Sequence, residues 1–343
     1  MNDPLQRWDF HLPDDRIARH PAEKRDGARL LHVPRDDGGL MDQAVIDLPD
    51  LLREGDLLVA NDTRVMEARV PAVRASGGRV EVLFLGPGPG LVEAMVRPLR
   101  RIKDGEWLQV PGAGRIQVRK RTDLAAHGLV EVMAEPEPLE LMRAAGELPL
   151  PPYLGRRAEE ADRERYQTVF AGPVGASAAP TAGLHLTEDV LSRCRDRGVG
   201  FCTVTLHVGL GTFRPLRPED IEAGELHAET YRVTPEVAEA VRATRARGGR
   251  VIAVGTTTAR TLESASDAEG RVSACSGSTR LFMKPPYSPR SFDGLLTNFH
   301  LPKSSLLMLV ACLCGRDRLF SAYRHAVSRG YRFYSYGDAM LLL

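Results

Sequence analysis

The feature that most constrains this chain is a change of texture in its middle. From about Pro71 to Pro149 the sequence breaks into short stretches that alternate apolar and polar residues. They are Arg79-Val80-Glu81-Val82-Leu83-Phe84-Leu85, Leu91-Val92-Glu93-Ala94-Met95-Val96, Arg115-Ile116-Gln117-Val118 and Leu129-Val130-Glu131-Val132-Met133. Side chains on a strand point to alternate faces, so each stretch suits a strand with one buried side. Gly86-Pro87-Gly88-Pro89-Gly90 and Pro111-Gly112-Ala113-Gly114 supply turns between them. Short strands with regular turns predict a small antiparallel β-barrel. Its basic segments, Arg97 to Lys103 and Arg115 to Arg121, are the densest in the chain. They suit either of two roles, protection of solvated strand edges or contact with nucleic acid.

Outside this region the pattern lengthens. Leu48 to Arg53 reads as a short helix, Glu54-Gly55-Asp56 as a turn, and Leu57 to Ala60 as a buried strand. After Pro149-Leu150-Pro151-Pro152-Tyr153, strand-like runs cover Phe201 to His207, Arg250 to Gly255 and Leu281 to Met283. Helix-like runs cover Glu188 to Arg197, Pro235 to Arg247, Thr258 to Ser266 and Ser304 to Leu313. Strands alternating with helices imply a sheet covered by helices. The fold class expected is therefore mixed α/β. One α/β domain is built from residues 1–68 and 150–343, and a β-barrel domain of residues 69–149 is inserted into it.

A chain of 343 residues can bury a sizeable core. Forty-six Lys and Arg balance 45 Asp and Glu, a net charge of +1, so a polyanionic partner would need a local basic surface. Five scattered cysteines without a C-x-x-C suggest neither a disulfide framework nor a zinc site, and a reducing compartment is expected. Residues Met1 to Phe10 show no apolar signal core, and the run Leu306 to Leu313 is too short to span a bilayer. Cytoplasmic location and no membrane association follow as expectations.

Several polar clusters carry possible chemistry. The strand ending at Ala60 runs directly into Asn61-Asp62-Thr63-Arg64, and in α/β folds the carboxyl ends of strands meet ligands. Ser177 to His185 surrounds Thr181 and His185 with small residues, which suits either close approach to a ligand or tight packing. Thr203 to Phe213 is a strand-like run into His207 and the glycine-spaced turn Gly209-Leu210-Gly211-Thr212; it lacks the dinucleotide fingerprint. His227 and Glu229, two apart, share one face of a strand, either as a proton-handling pair or as a surface ion pair. Gly255-Thr256-Thr257 leads into a helix whose N-terminus can hold an anion or simply be capped. Thr297 to Pro302 and Ser335 to Met340 place polar groups beside aromatics, fit for base stacking or for ordinary packing. No third ligand stands at zinc spacing, so no metal is expected.

Taken in order, these strings resemble the S-adenosylmethionine:tRNA ribosyltransferase-isomerase family of queuosine biosynthesis. The resemblance begins at Trp8-Asp9-Phe10, Arg25-Asp26 and Arg29-Leu30-Leu31. It continues through Asn61 to Val65, Leu148 to Tyr153, Arg165-Tyr166-Gln167-Thr168-Val169, Ala179 to His185 and Leu206 to Phe213. His227 with Glu229, Gly255 to Thr257, Arg260 to Ser264, Thr297 to Lys303 and Tyr336 to Met340 complete it. The chain departs from the family at Glu67, Leu186 and Pro286.

The resemblance implies a mixed α/β catalytic domain with an inserted β-barrel, and it implies a reaction. S-adenosylmethionine, as co-substrate, gives its ribosyl unit to 7-aminomethyl-7-deazaguanine at the wobble position of tRNA. Epoxyqueuosine-tRNA, adenine and methionine result. The sulfonium acidifies the neighbouring 5′ hydrogens, so the site needs a proton acceptor, a donor to adenine and exclusion of water. His185, His207, His227, Glu229 and Asp62 are then the expected catalytic residues. Either Glu229 or a histidine is the base. Asp338 joins Asp62 in holding the amine or ribose. Thr181, Gly209, Gly211, Thr212, Thr256 and Thr257 are expected at the co-substrate, the last two at its carboxylate. Asn61, Arg64, Arg165, Tyr166, Gln167, Asn298, His300 and Tyr336 are expected at the tRNA. The tRNA is the expected partner, and the chain is expected to act as a monomer. Two rivals remain on the sequence: another S-adenosylmethionine enzyme such as an RNA methyltransferase, and a non-catalytic RNA-binding protein.

Overall fold

The computed structural model describes residues 4–35, 38–121, 128–209 and 216–343. In chain order its strands are β1 Arg29–Val33, β2 Met41–Ala44, β3 Leu57–Asn61, β4 Arg64–Val65, β5 Arg69–Arg74, β6 Arg79–Phe84, β7 Val92–Arg97, β8 Trp107–Val110 and β9 Gly114–Arg119. There follow β10 Leu129–Glu135, β11 Val174–Ala176, β12 Gly200–Leu206, β13 Glu225–Val233, β14 Val251–Val254, β15 Cys275–Leu281, β16 Gly294–Asn298 and β17 Ala339–Leu342. The helices are α1 Leu48–Leu51, α2 Pro138–Ala145, α3 Glu160–Arg165, α4 Glu188–Asp196, α5 Pro218–Ala223, α6 Pro235–Ala246, α7 Thr256–Ser264, α8 Ser305–Cys314 and α9 Arg316–Ser328.

Among the described residues one sheet has the order β15-β13-β12-β3-β14-β16-β17-β1-β2. Strands β12, β3, β14 and β16 are parallel to one another, and β17 runs antiparallel to β16. Strands β3, β14, β16 and β17 are buried throughout, and their alternate side chains enter two separate cores. Leu57, Val59, Val251, Ala253, Leu295, Met340 and Leu342 pack against α6, α7, α8 and α9 on one face. Leu58, Ala60, Ile252, Val254, Leu296, Ala339 and Leu341 pack against α1, α4 and the 3-10 helix Thr181–His185 on the other. The period of two thus divides each strand between two helical layers, which is why these strands read as continuous apolar runs. Cutting one such residue to alanine, as in Leu58→Ala, is expected to cost roughly 2–5 kcal/mol.

The middle of the chain closes a six-strand antiparallel barrel in the order β10-β7-β6-β5-β8-β9. Val70, Val82, Val96, Leu108, Ile116, Val118 and Val132 fill it with the alternating residues of each strand. Two barrel strands, β5 and β8, go beyond the four expected from alternation. Strand β5 carries Pro71 and β8 has four residues, so neither shows a long pattern. Outside the barrel, Leu281 to Met283 is not a strand of its own. Strand β15 ends at Leu281, and Phe282 and Met283 turn into the core behind it. As the edge of the large sheet, β15 is made of Cys-Ser-Gly-Ser-Thr-Arg-Leu, a sequence too polar to be read as buried.

Candidate active site

The carboxyl ends of β3, β12, β14 and β16 lie along one edge of the sheet, and the polar strings of the sequence collect there. At the end of β3, Asn61 joins two strands and a helix. Its Oδ1 accepts from Leu206 N (3.0 Å) and Thr63 N (3.1 Å), and its Nδ2 donates to Leu206 O (2.9 Å) and Thr257 Oγ1 (3.2 Å). Those four bonds use the full capacity of a carboxamide. Asn61 therefore holds β12 and the start of α7 against β3.

The next residue faces outward. Half-buried Asp62 accepts from Thr203 Oγ1 at 2.9 Å and Thr205 Oγ1 at 2.7 Å. Thr203 and Thr205 are two apart on β12, so both hydroxyls lie on one face and grip both carboxylate oxygens. Thr63 turns back inward, and its Oγ1 lies 2.7 Å from His207 Nδ1. Gly175 on β11 is the wall behind this imidazole: a Cβ there would lie 2.6 Å from Nδ1. Burial holds the His207 pKa below its usual value, and the nearby Asp62 carboxylate partly opposes that shift. A neutral imidazole at pH 7, bonded at Nδ1, leaves Nε2 to exchange a proton with a substrate. Thr63, Thr203, Thr205 and Gly175 had no assigned role in the sequence. The alternating Thr203-Val204-Thr205 before His207 was the available signal.

Glu229 on β13 is buried and paired with the buried Arg260 of α7, whose guanidinium donates to Oε2. Its Oε1 accepts from Gly209 N at 3.2 Å. The carboxylate thus ties Gly209, just after His207, to α7. Arg260, quoted in the sequence only as part of a string, is the partner that makes a carboxylate tolerable in this interior. His227 lies on the same strand, half-buried, where the pairing of β13 with β15 slips between Glu225 and Glu229. Burial still alternates from half-buried His227 through exposed Ala228 to buried Glu229, as for two side chains on one face. Thr256 and Thr257 open α7 after Gly255, which has φ 91° and ψ 154° and so favours glycine. Gly211 and Thr212 lie outside the described residues.

A second group gathers farther along the edge. His185 is buried, and its Nε2 has no hydrogen-bond partner. Burial pushes its pKa down to about 4; Arg332 and Arg25 push the same way and the Asn298 side chain opposes. Thr181 opens the 3-10 helix that ends at His185. Asn298 donates from Nδ2 to Tyr334 O at 2.8 Å. His300 is buried below, its Nε2 2.9 Å from Thr297 Oγ1, with its pKa pushed down by burial to about 3. Asp338 accepts from Arg29 N and Arg332 N at 3.0 and 2.7 Å, fastening β17 to its neighbours. Tyr336 donates to Asp162 at 2.6 Å. Burial alone would raise the Asp162 pKa, but Arg156, Glu159 N–H and the Tyr336 hydroxyl outweigh it and hold the carboxyl at about 2. Gln167 bonds both to the N–H and to the carbonyl of Val65 (3.0 and 2.9 Å), and Tyr166 is fully buried beside Tyr336. Exposed Arg64 donates to Ala171 O at 2.7 Å.

On the barrel, Arg115 and Arg121 of the basic segments pair with Glu135 and Glu131 across β9 and β10 (2.6 and 2.7 Å). Arg97, Arg100, Arg101 and Lys103 are exposed around the single turn that follows β7. Among the described residues no group of three His, Cys, Asp or Glu stands close enough to hold a metal, and no helix is long and apolar enough to cross a membrane.

A sheet layered by helices, with imidazole, carboxylate and hydroxyls gathered at the carboxyl ends of its parallel strands, and a closed antiparallel barrel formed by the middle of the chain, define a mixed α/β protein with an enzyme-type cluster of polar groups. The chain belongs to the queuosine biosynthesis protein family, whose model matches residues 5–342. It is 50% identical over 344 residues to the S-adenosylmethionine:tRNA ribosyltransferase-isomerase of Acidiphilium cryptum, covering 98% of this chain and 99% of that protein. The protein of the same name from Moorella thermoacetica is 47% identical, with 99% of each chain covered. A crystal structure of S-adenosylmethionine tRNA ribosyltransferase from Thermotoga maritima matches at a TM-score of 0.57 and 33% identity, over 98% of this chain and 100% of that one.

Proposed function

We propose that this chain is an S-adenosylmethionine:tRNA ribosyltransferase-isomerase. It transfers and isomerises the ribosyl unit of S-adenosylmethionine onto 7-aminomethyl-7-deazaguanine at the tRNA wobble position, and adenine and methionine leave. The observation that carries this reading is end-to-end similarity to proteins of that name, together with a half-buried imidazole beside a carboxylate at the strand ends.

Within this reading His207 is the proton acceptor at the carbon next to the sulfonium, and Asp62 stands ready to hold the incoming amine or steady the imidazolium. Glu229 serves through Arg260 and Gly209 by shaping the turn that admits the nucleoside. A carboxylate already bonded to a guanidinium is a poor base. Thr256 and Thr257 face the methionine carboxylate at the α7 N-terminus. The barrel, with the exposed Arg97, Arg100, Arg101 and Lys103, meets tRNA phosphates, which makes binding salt-dependent. The division into a catalytic domain of residues 1–68 and 150–343 and a barrel domain of 69–149 follows from this assignment. So do action in the cytoplasm, action as a single chain, and a reaction that calls on no metal.

Chromatography of one reaction tests the proposal. With S-adenosylmethionine and tRNA carrying the aminomethyl base, adenine and methionine are expected in equal amounts. S-adenosylhomocysteine in their place would make the chain a methyltransferase, and an unconsumed co-substrate would make it a binding protein.

A further inference from the structure

Arg25 and Arg165 line one small cavity with Leu184, His185, Tyr336 and Gly337, at the end of the edge where β16 and β17 meet. Both guanidiniums are held by backbone carbonyls alone. Arg25 donates to the carbonyls of Glu164 (2.7 Å), Leu184 (3.3 Å) and Arg165 (3.4 Å). Arg165 donates to those of Glu23 (2.9 Å) and Ala22. Neither forms an ion pair with a carboxylate among the described residues. Burial, and after it the neighbouring Arg165 guanidinium, lower the Arg25 pKa, and the Glu164 carboxylate opposes this only in part. Two nitrogens here are buried without any partner, Nε of Arg165 and Nε2 of His185, the latter on a side chain about 95% buried (5% exposed). Unpaired buried donors are costly, and native structures rarely keep them without something to bond.

The cavity measures about 20 Å³, against the roughly 10–15 Å³ that one water-sized group needs. A nucleobase does not fit; one or two oxygen atoms do. With two cations and unmatched N–H donors around that space, the geometry points to an oxyanion site made by Arg25, Arg165 and His185. The inference rests on the function proposed above, which supplies two sources for such a group: a phosphodiester oxygen of the tRNA and the carboxylate of S-adenosylmethionine. Tyr336 and Gly337 precede β17 and Ala28 precedes β1, three and four places from β3 in the sheet, so the cavity lies roughly 15–20 Å from Asp62. A tRNA strand with one nucleotide seated at Asp62 and His207 can place a phosphate a few nucleotides farther along there. With Thr256 and Thr257 facing the carboxylate, the phosphate is the source that leaves neither site empty.

The test compares the full chain with Arg165→Gln, Arg165→Lys and His185→Leu, each checked for an unchanged thermal midpoint. His185→Leu leaves both guanidiniums and their backbone bonds in place, so it remains informative if the arginine variants fail to fold. If the anion is phosphate, affinity for the substrate tRNA falls about tenfold in Arg165→Gln. The slope of log Kd against log salt then drops by about 1, and Arg165→Lys recovers part of the loss. If it is the carboxylate, affinity for S-adenosylmethionine falls about tenfold, while that for decarboxylated S-adenosylmethionine stays as in the wild type. Inorganic phosphate should also raise the thermal midpoint of the wild type more than that of His185→Leu. Folded variants with unchanged affinities and an equal response to phosphate would overturn the site. Adenine release by the wild type tests the proposed function separately, because the phosphate response does not depend on turnover.

Discussion

Replacing His207 by glutamine keeps a polar group near Thr63 but takes away the ring nitrogen that exchanges the proton. Adenine release should fall on the order of 10²–10⁴-fold in kcat, with binding of S-adenosylmethionine little changed. Unchanged turnover in a folded His207→Gln protein would remove this residue from the reaction. The same imidazole sets a pH dependence. Burial lowers its pKa and Asp62 partly raises it again, so the neutral form is dominant at pH 7 and the acid limb of kcat/KM lies below pH 6.5. Asp62→Asn removes the raising influence, and whatever activity remains should then persist to lower pH; a limb moving upward contradicts the assignment. Arg260 invites a different experiment. Arg260→Met leaves the buried Glu229 carboxylate without its cation, which should cost roughly 3–5 kcal/mol in a urea titration. Replacing both partners by apolar residues should cost less, because no charge is then stranded.

At the scale of elements, the approach of β11 to β12 is what brings His207 into register with Thr63. In Gly175→Ala the new Cβ meets the imidazole at 2.6 Å, and the ring or the strand must shift. The variant should fold with a loss of roughly 1–3 kcal/mol and lose turnover out of proportion to that loss. Turnover near wild type would show that the ring need not sit where β11 holds it. Much of this layer was legible in the sequence. The barrel was announced by alternation between Arg79 and Met133, and α4, α6 and α8 fall within two residues of their expected ends. Such elements carry their own periodicity. Strand β15 does not, because an edge strand owes its place to pairing with β13 rather than to burial. The site was legible as positions more than as roles. A sequence can display Asn61, Gln167 and Asp338, but not that their side chains hold neighbouring backbone in place. Nor does it display that Thr203 and Thr205, far along the chain, grip Asp62, since that contact exists only once β12 lies beside β3.

For the whole molecule, two buried histidines couple folding to pH. His185 is held near a pKa of about 4 and His300 near about 3, both chiefly by burial, against about 6.5 in an unfolded chain. Between those values the unfolded chain binds the extra protons, so stability falls as pH drops from about 6.5 toward 4. By pH 5 each histidine should have removed roughly 2 kcal/mol, at about 1.4 kcal/mol per pH unit. Denaturant midpoints at pH 7.5 and 5.0 check this, and equal stability at the two would contradict it. Asp162 acts in a separate window: held at about 2, its contribution is lost only below about pH 4. The domains share one task in this account, the barrel bringing tRNA to a sugar opened at the strand ends of the large sheet. The most direct trial supplies S-adenosylmethionine labelled in the ribose in one tube and in the methyl group in another, each with tRNA bearing the aminomethyl base. Ribose label should enter the tRNA while methyl label leaves with methionine; methyl label in the tRNA, or label in neither, contradicts the account.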